Sequence, residues 1–284
     1  MADKLYLSTE RLDGYQLIIS KRFPDGDEYV RIPQEVAGRE IVLLHRCWPD
    51  QNSKLVQLLL IMRTLKELGA LKITLQIPYL PYARQDKRVL EGESVSAQII
   101  CKLLKEAGAE RLVTLDCHFL KREGDFEYAG LKITNISAAT PLLDCAGKGT
   151  KSPFIITPDE GAAYFAQTRK HAAVLKKIRG EYGKGKTAYR KIESLQASEN
   201  FNVAGWNVVI IDDIVGSGST MIRAVQLAKK AGAKSITCAC THGMFLNGAD
   251  RKLLSAGARK LISTNSIPTK YACVDAEKLL RTAR

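Results

Sequence analysis

The 284-residue sequence lacks long apolar runs, since none approaches the roughly 20 residues that a membrane-spanning helix requires. Its first residues also lack the basic segment and apolar core of a signal peptide. Aromatic residues are scarce, at 7%, and no nucleic-acid recognition motif accompanies the basic residues. These absences predict a protein that neither crosses a membrane nor binds nucleic acid, while a hydrophobic content of 45% excludes wholesale disorder.

Acidic residues are in deficit, because 43 Lys and Arg stand against 30 Asp and Glu, for a net charge of +13. Nine of the basic residues lie between Arg169 and Lys191, where Glu181 is the only acid. Composition alone allows three interpretations of this segment: a solvated face, a nucleic-acid tether, or a mobile basic loop that closes over a polyphosphate. The lack of a recognition motif disfavours the tether.

Cysteines are few and odd in number, with seven scattered along the chain. Cys238 and Cys240 form the one close pair, and their spacing places both on one face of a predicted strand. Two thiols without a second pair nearby make a poor zinc site. We therefore interpret them as buried structural thiols, which predicts a reducing, cytoplasmic environment.

Short apolar strands alternate with helical patterns along most of the chain, which predicts parallel sheets of the α/β class. The predicted strands are 41–44, 72–77, 111–115, 154–157, 208–211, 235–240 and 260–263. The predicted helices are 55–68, 95–107, 162–170, 220–231, 250–254 and 274–282. The two halves share this layout, and a turn-rich stretch at 147–153 lies near their boundary, so we expect two similar domains at 1–138 and 139–284.

The clearest functional pattern follows the strand at 208–211. Asp212 and Asp213 end this strand, and a Gly/Ser/Thr loop then leads into a helix that starts near Thr220. Backbone N–H groups, hydroxyls and a helix N-terminus suit a phosphate, and glycines permit close approach. The two acids would repel phosphate and suit hydroxyls or a metal ion, so a sugar phosphate satisfies both halves of the pattern.

This arrangement resembles the 5-phosphoribosyl-1-pyrophosphate (PRPP) loop of type I phosphoribosyltransferases and of PRPP synthetases. Further segments resemble PRPP synthetases (ribose-phosphate pyrophosphokinases) specifically, in that family's order. They are an ATP-contacting segment at 78–88, an adenine-side loop at 22–31, Asp-Cys-His at 116–118, Pro-Asp-Glu-Gly at 158–161, Lys-Ile-Arg at 177–179, Thr-His-Gly-Met-Phe at 241–245 and Thr-Asn-Ser-Ile-Pro at 264–268.

The resemblance implies two type I phosphoribosyltransferase-like domains, with ATP bound by the N-terminal one and ribose phosphate by the C-terminal one. It implies an ATP-dependent pyrophosphokinase that transfers the β,γ-pyrophosphoryl group of ATP to the C1 hydroxyl of ribose 5-phosphate and releases AMP. Mg²⁺ as cofactor and assembly into a homo-oligomer are implied in the same way.

The resemblance also assigns roles to individual residues. Lys177 and Arg179 are the implied catalytic cations. The implied ATP-binding residues are Phe23, Asp25, Gly26, Asp27, Arg84, Gln85, Asp86 and His118. The implied ribose-phosphate residues are Asp212, Asp213, Gly216, Ser217, Gly218, Ser219 and Thr220. The implied metal ligands are His118, Asp159 and Asp116.

Several features depart from the family pattern. Ser219 replaces a glycine whose freedom in φ can matter, Asp27 stands where the family usually has Glu, and no long first helix is visible before Phe23. The stretch 159–177 is short and the following loop is unusually basic.

Two alternatives therefore stay open. One is a divergent pyrophosphokinase acting on a larger acceptor with a ribose 5-phosphate end, such as ADP-ribose, and the other is a non-catalytic regulatory homologue. The first would employ the surplus cations Lys184, Lys186, Arg190 and Lys191.

Overall fold

A computed structural model describes residues 3–147, 152–166, 171–179, 192–196 and 201–283. The chain divides into two compact units. The first unit comprises Met1–Arg88, Gly92–Ile136 and Glu277–Arg284, and the second comprises Val89–Glu91 and Ser137–Ala276. Among the described residues, no helix combines the length and the apolar character needed to cross a membrane.

The first unit is built on a seven-stranded sheet of order β2-β1-β5-β6-β7-β9-β8, parallel except for the pair β8–β9. A separate antiparallel ribbon pairs β3 with β4. The strands are β1 (Lys4–Ser8), β2 (Gln16–Leu17), β3 (Ile19–Arg22), β4 (Glu28–Arg31), β5 (Glu40–Leu44), β6 (Lys72–Gln76), β7 (Arg111–Leu115), β8 (Gly124–Tyr128) and β9 (Leu131–Ile136). The helices are α1 (Gln51–Glu67) and α2 (Ser96–Glu106).

The alternation of side-chain direction along β1, β5 and β6 explains the core of the first unit. Side chains two residues apart share a face of a strand, and one face of β1, β5 and β6 is wholly apolar. Its residues, together with buried residues of α1 and α2, form one cluster: Leu5, Leu7, Ile41, Leu43, Ile73, Leu75, Leu58, Ile61, Met62, Leu65, Cys101 and Leu104. The two helices therefore pack on this face of the sheet.

The second unit has a six-stranded parallel sheet of order β11-β10-β14-β15-β16-β17 and an antiparallel ribbon of β12 and β13. The strands are β10 (Phe154–Thr157), β11 (Ala172–Val174), β12 (Lys176–Arg179), β13 (Ile192–Gln196), β14 (Asn207–Val215), β15 (Ser235–Gly243), β16 (Lys260–Thr264) and β17 (Ala272–Val274). The helices are α3 (Ala139–Gly147), α4 (Ser219–Lys230) and α5 (Ala249–Ala256), while α6 (Ala276–Leu280) starts at the last residue of this unit and otherwise belongs to the first unit.

The parallel α/β architecture confirms the predicted fold class, but one predicted helix is wrong. The segment 162–170 was expected to be α-helical, whereas the structure has a 3₁₀ helix at Glu160–Phe165 that Asp159 caps. The Ala162 N–H donates to the Asp159 carbonyl and the Ala166 N–H donates to the Ala163 carbonyl, so i→i+3 bonds close both ends of the segment. The rest of the predicted helix, 167–170, lies outside the described residues.

One pair of cysteines is bonded, which the sequence did not indicate. Cys145 of α3 and Cys273 of β17 form a disulfide within the second unit. The other five cysteines are buried and form no disulfide, as predicted for Cys238 and Cys240. The bonded cysteines are 128 residues apart in sequence, so no local spacing could have indicated their contact.

Candidate active site

The phosphate-loop pattern lies at the carboxyl end of β14, a strand whose sheet neighbours are β10 and β15. We call Gly216–Thr220 the sugar-phosphate loop. Asp212 is buried, with 9% of its surface exposed, and Asp213 is half-buried. The carboxyl ends of parallel strands are the usual ligand edge of an open α/β sheet, so the acids and the loop occupy the expected position.

The backbone holds the two carboxylates in place. The Asp213 N–H donates to Oδ1 of Asp212 at 3.0 Å, and the Ile214 N–H donates to Oδ1 of Asp213 at 2.8 Å. Neighbouring Cys240 stays a thiol, because burial, reinforced by the Asp212 charge, raises its pKa well above the ordinary value. The acids and not this cysteine therefore supply the polar chemistry here.

The sugar-phosphate loop ends in the N-terminus of α4, which Gly218 caps in the left-handed conformation, at φ 72°. Glycine has no side chain with which to bond this end of the helix, and the first turn carries no acid, so the N–H groups there suit an anion. Ser219 is the first residue of α4, and the left-handed position falls on Gly218 instead. The Gly-to-Ser departure is thus accommodated, since a helical residue does not need glycine's freedom.

Two further predicted segments lie in the second unit. Asp159 follows β10 and is half-buried, and its Oδ1 accepts the Ala162 N–H at 3.1 Å. Lys177 and Arg179 lie in β12, opposite Leu195 and Ile192 of β13. The surplus cations lie outside the described residues: Lys184, Lys186, Arg190 and Lys191.

In the first unit, the predicted adenine-side loop is the tight turn between β3 and β4. The Phe23 N–H donates to the Asp27 carbonyl at 2.8 Å, and the Asp27 N–H donates to Oδ1 of Asp25 at 3.2 Å. Gly26 occupies the left-handed position of this turn, at φ 101°. Phe23 is 40% exposed, so its ring is available to a base.

Lys21 and Tyr29, which the sequence analysis missed, frame the Phe23 ring. The Lys21 ammonium lies 4.7 Å from the ring centroid, and the Tyr29 ring meets it edge-on at 6.0 Å. Lys21 and Tyr29 are directly opposed in the β3–β4 register. Lys21 and Phe23 are two residues apart at the start of a two-stranded turn, and Tyr29 lies opposite Lys21 on the second strand. This spacing is the sequence signal that could have indicated Lys21 and Tyr29.

The predicted ATP-contacting segment follows β6. Arg84 and Gln85 are exposed and Asp86 is half-buried. The Gln85 side-chain carbonyl accepts the Ser96 hydroxyl at 2.6 Å, and its backbone carbonyl accepts the Ala97 N–H at 3.1 Å. The start of α2 therefore anchors Gln85, while Arg84 projects beside it into solvent.

The Asp-Cys-His segment follows β7. Asp116 is fully buried in a left-handed conformation, whereas His118 is half-buried. The Cys117 N–H between them donates to Oδ1 of Asn135 at 2.8 Å, which fixes the turn. Across the described part of the chain, no three His, Cys, Asp or Glu side chains gather as a metal site would require.

A parallel sheet with paired acids, a glycine loop and a helix N-terminus at its carboxyl edge is the arrangement expected of the phosphoribosyltransferase class. The sequence profile of the phosphoribosyl transferase domain matches residues 139–278. The profile of the N-terminal domain of ribose phosphate pyrophosphokinase matches residues 15–108. The chain belongs to the ribose-phosphate pyrophosphokinase family, a family of enzymes, as the sequence resemblance predicted.

Individual relatives agree over nearly the whole length. The chain is 34% identical to a ribose-phosphate pyrophosphokinase of Methanobrevibacter smithii, over 96% of this chain and 93% of that protein. It is 34% identical to one of Sulfurisphaera tokodaii, over 90% and 87%. The crystal structure of phosphoribosylpyrophosphate synthetase from Mycobacterium smegmatis superposes with a TM-score of 0.80 at 26% identity, covering 99% of this chain and 97% of that one.

Proposed function

We propose that this protein transfers the β,γ-pyrophosphoryl group of ATP to the C1 hydroxyl of ribose 5-phosphate, forming PRPP and AMP. The observation that carries the proposal is the junction of β14 and α4, where two carboxylates precede a glycine loop and a helix N-terminus. Hydroxyls of a ribose suit the carboxylates, and its 5-phosphate suits the helix end. The names of the relatives support this acceptor, and none of those reported above points to a larger one.

We assign the ATP side to the first unit. Phe23 offers an exposed ring for stacking on adenine, with Asp25 and Asp27 beside it as acceptors for an amino group or for ribose hydroxyls. Arg84 offers an exposed guanidinium for phosphate oxygens. A nucleoside triphosphate has both a base that can stack on Phe23 and phosphates that can contact Arg84. It therefore suits these residues better than a base alone or a phosphate alone would.

Transfer of a phosphoryl group depends on in-line positioning and on neutralising charge. In the second unit, Asp212 and Asp213 orient the ribose hydroxyls and the sugar-phosphate loop holds the 5-phosphate. Lys177 and Arg179 stabilise charge on the transferred and bridging oxygens. Replacing Lys177 by Ala should therefore lower kcat while leaving equilibrium binding of ribose 5-phosphate nearly unchanged.

The proposed cofactor is Mg²⁺, with His118 and Asp159 as its protein ligands. Mg²⁺ usually keeps several waters and substrate phosphate oxygens in its octahedron, so it needs only one or two protein ligands. When bound, Mg²⁺ would neutralise phosphate charge. Buried Asp116 suits a supporting position behind His118 better than direct ligation.

We further propose a homo-oligomer that works in the cytoplasm, as the family resemblance suggests. Sedimentation equilibrium at micromolar concentration measures the assembly directly. A purely monomeric species that retains full activity would contradict the oligomer.

The deciding experiment identifies products by mass after incubation with ATP, Mg²⁺ and either ribose 5-phosphate or ADP-ribose. Ribose 5-phosphate should give AMP and PRPP in equal amounts. AMP formation with ADP-ribose alone would favour the larger acceptor, and no AMP with either compound would favour a non-catalytic homologue.

A matched pair of variants links that activity to the site. Asp213→Asn removes a carboxylate charge at the end of β14 and should lower kcat/KM for ribose 5-phosphate about 100-fold, the range of an interaction worth roughly 3 kcal/mol. Asp144→Asn makes the same change at an exposed position of α3 and should leave kcat/KM unchanged.

A further inference from the structure

We infer that Phe245 is a positioning residue for the sugar-phosphate loop, an inference that rests on the proposed role of that loop. The segment after β15 donates three backbone hydrogen bonds to the start of the loop. The N–H groups of Met244 and Phe245 both reach the Val215 carbonyl at 3.0 Å, and the Leu246 N–H reaches the Gly216 carbonyl at 3.0 Å. These bonds therefore tie the end of β14 and the start of the sugar-phosphate loop to the segment that follows the neighbouring strand β15.

Two consecutive donors aimed at one carbonyl require a sharp backbone turn. Phe245 makes this turn in the left-handed region, at φ 45° and ψ 46°. An aromatic residue rarely adopts this conformation, and such residues persist only where surrounding contacts stabilise them. Asn247 and Gly248 continue the left-handed path at φ 55° and 71°.

The Phe245 ring supplies the compensating contacts. A Cβ added to Gly243 would lie 2.5 Å from a ring carbon, so the ring rests directly on the glycine backbone. On its other side the ring meets Tyr271 edge-on, with centroids 5.2 Å apart. The Tyr271 hydroxyl in turn donates to Oδ2 of Asp250 in α5 at 2.9 Å.

Helix α5 also packs against the sugar-phosphate loop, at Gly218. A Cβ on Gly218 would lie 3.2 Å from the Cβ of Ala249, the first residue of α5. The Phe245 ring therefore joins two supports of the sugar-phosphate loop: the three backbone donors and the packing of α5. Removing the ring leaves the strained turn at Phe245 without its packing contacts. The N–H groups of residues 244–246 then no longer point at the carbonyls of Val215 and Gly216.

The expected effect is selective for one substrate. Phe245→Ala should raise KM for ribose 5-phosphate about 10-fold and weaken its equilibrium binding by the same factor. KM for ATP and kcat should change less than 2-fold, because the proposed ATP residues belong to the first unit. A merely structural residue would lower the active fraction and move kcat instead.

The experiment measures both KM values and calorimetric binding of ribose 5-phosphate for Phe245→Ala, Phe245→Tyr and Leu254→Ala. Phe245→Tyr keeps the ring and should restore the parent KM. Leu254→Ala removes an exposed leucine of α5 and should match the parent. Equal rises in both KM values, or a Phe245→Ala variant that binds like the parent, would overturn the inference.

Two further variants separate the possible failures. If Phe245→Ala does not fold, Gly243→Ala displaces the ring from the opposite side and should give the same selective rise in KM; an unchanged KM there refutes the inference. Gly218→Ala tests the loop itself. If Gly218→Ala leaves binding of ribose 5-phosphate unchanged, the proposed function of the loop fails, whereas an effect at Gly218 without one at Phe245 refutes only the positioning role.

Discussion

Replacing His45 by glutamine should make the first unit less sensitive to mild acid. His45 follows β5 and is fully buried. Its Nε2 donates to the Lys54 carbonyl at 2.9 Å, which leaves Nδ1 to accept from the Thr9 hydroxyl at 3.4 Å. Burial removes the ring from water and the Lys54 charge acts in the same direction, so the pKa of His45 falls from 6.5 to about 4.

The sign of the effect follows from where the proton binds. Between pH 6.5 and pH 4 the unfolded chain takes up a proton at His45 and the folded chain does not, so stability is present above pH 6.5 and is lost as the pH falls. At pH 5 this one group costs about 2 kcal/mol relative to pH 7.5. Glutamine keeps an N–H donor for the Lys54 carbonyl and has no such titration.

The sequence offers a clean assay, since its two tryptophans, Trp48 and Trp206, fall one in each unit. In a Trp206→Phe background, Trp48 fluorescence reports urea unfolding of the first unit at pH 7.5 and pH 5. The parent should lose about 2 kcal/mol more than His45→Gln over this interval. His171→Gln, at an exposed position, is the control and should behave like the parent. Equal losses in the parent and His45→Gln would refute the reasoning.

Gly218→Ala should destabilise the second unit by about 1–2 kcal/mol, because alanine is strained at φ 72°, and should raise KM for ribose 5-phosphate. Gly232→Ala imposes similar strain at φ 81° beyond the other end of α4 and should destabilise without changing that KM, so equal KM values for the two variants would contradict the prediction. Cys273→Ser should lower the stability of the second unit by about 2–5 kcal/mol, since the bond to Cys145 closes a long loop. Trp206 fluorescence under urea, with and without reductant, measures this; a parent insensitive to reductant would count against the bond.

Most of the fold was predictable because its signals are local. The strand at 111–115 and the strand at 154–157 have the predicted bounds, and α1 and α2 end just before the glycines expected to follow them. The segment 139–147 was not predicted as a helix, since it carries Pro141 and runs into a Gly-rich stretch. The described residues before Phe23 form β1, β2 and β3 and no helix, in agreement with the sequence, in which no long first helix is visible.

The candidate site divides in the same way. Asp212, Asp213 and the sugar-phosphate loop were predicted because strand, acids, glycines and helix follow one another directly in sequence. The roles of Lys21 and Tyr29 beside Phe23 were not predicted, because the pairing register of the β3–β4 ribbon brings them to that ring.

The sequence by itself determined the central strands of both sheets and most of the helices between them, the chemistry available at the ends of those strands, and through its motifs the family. The tertiary structure decided which distant residues meet. It placed Cys145 against Cys273, set the Phe245 ring between Gly243 and Tyr271, and returned residues 277–284 to the first unit. The reason is physical: periodicity records the direction in which a side chain points from its own strand or helix, whereas long-range contacts depend on strand order and packing, which no local pattern encodes.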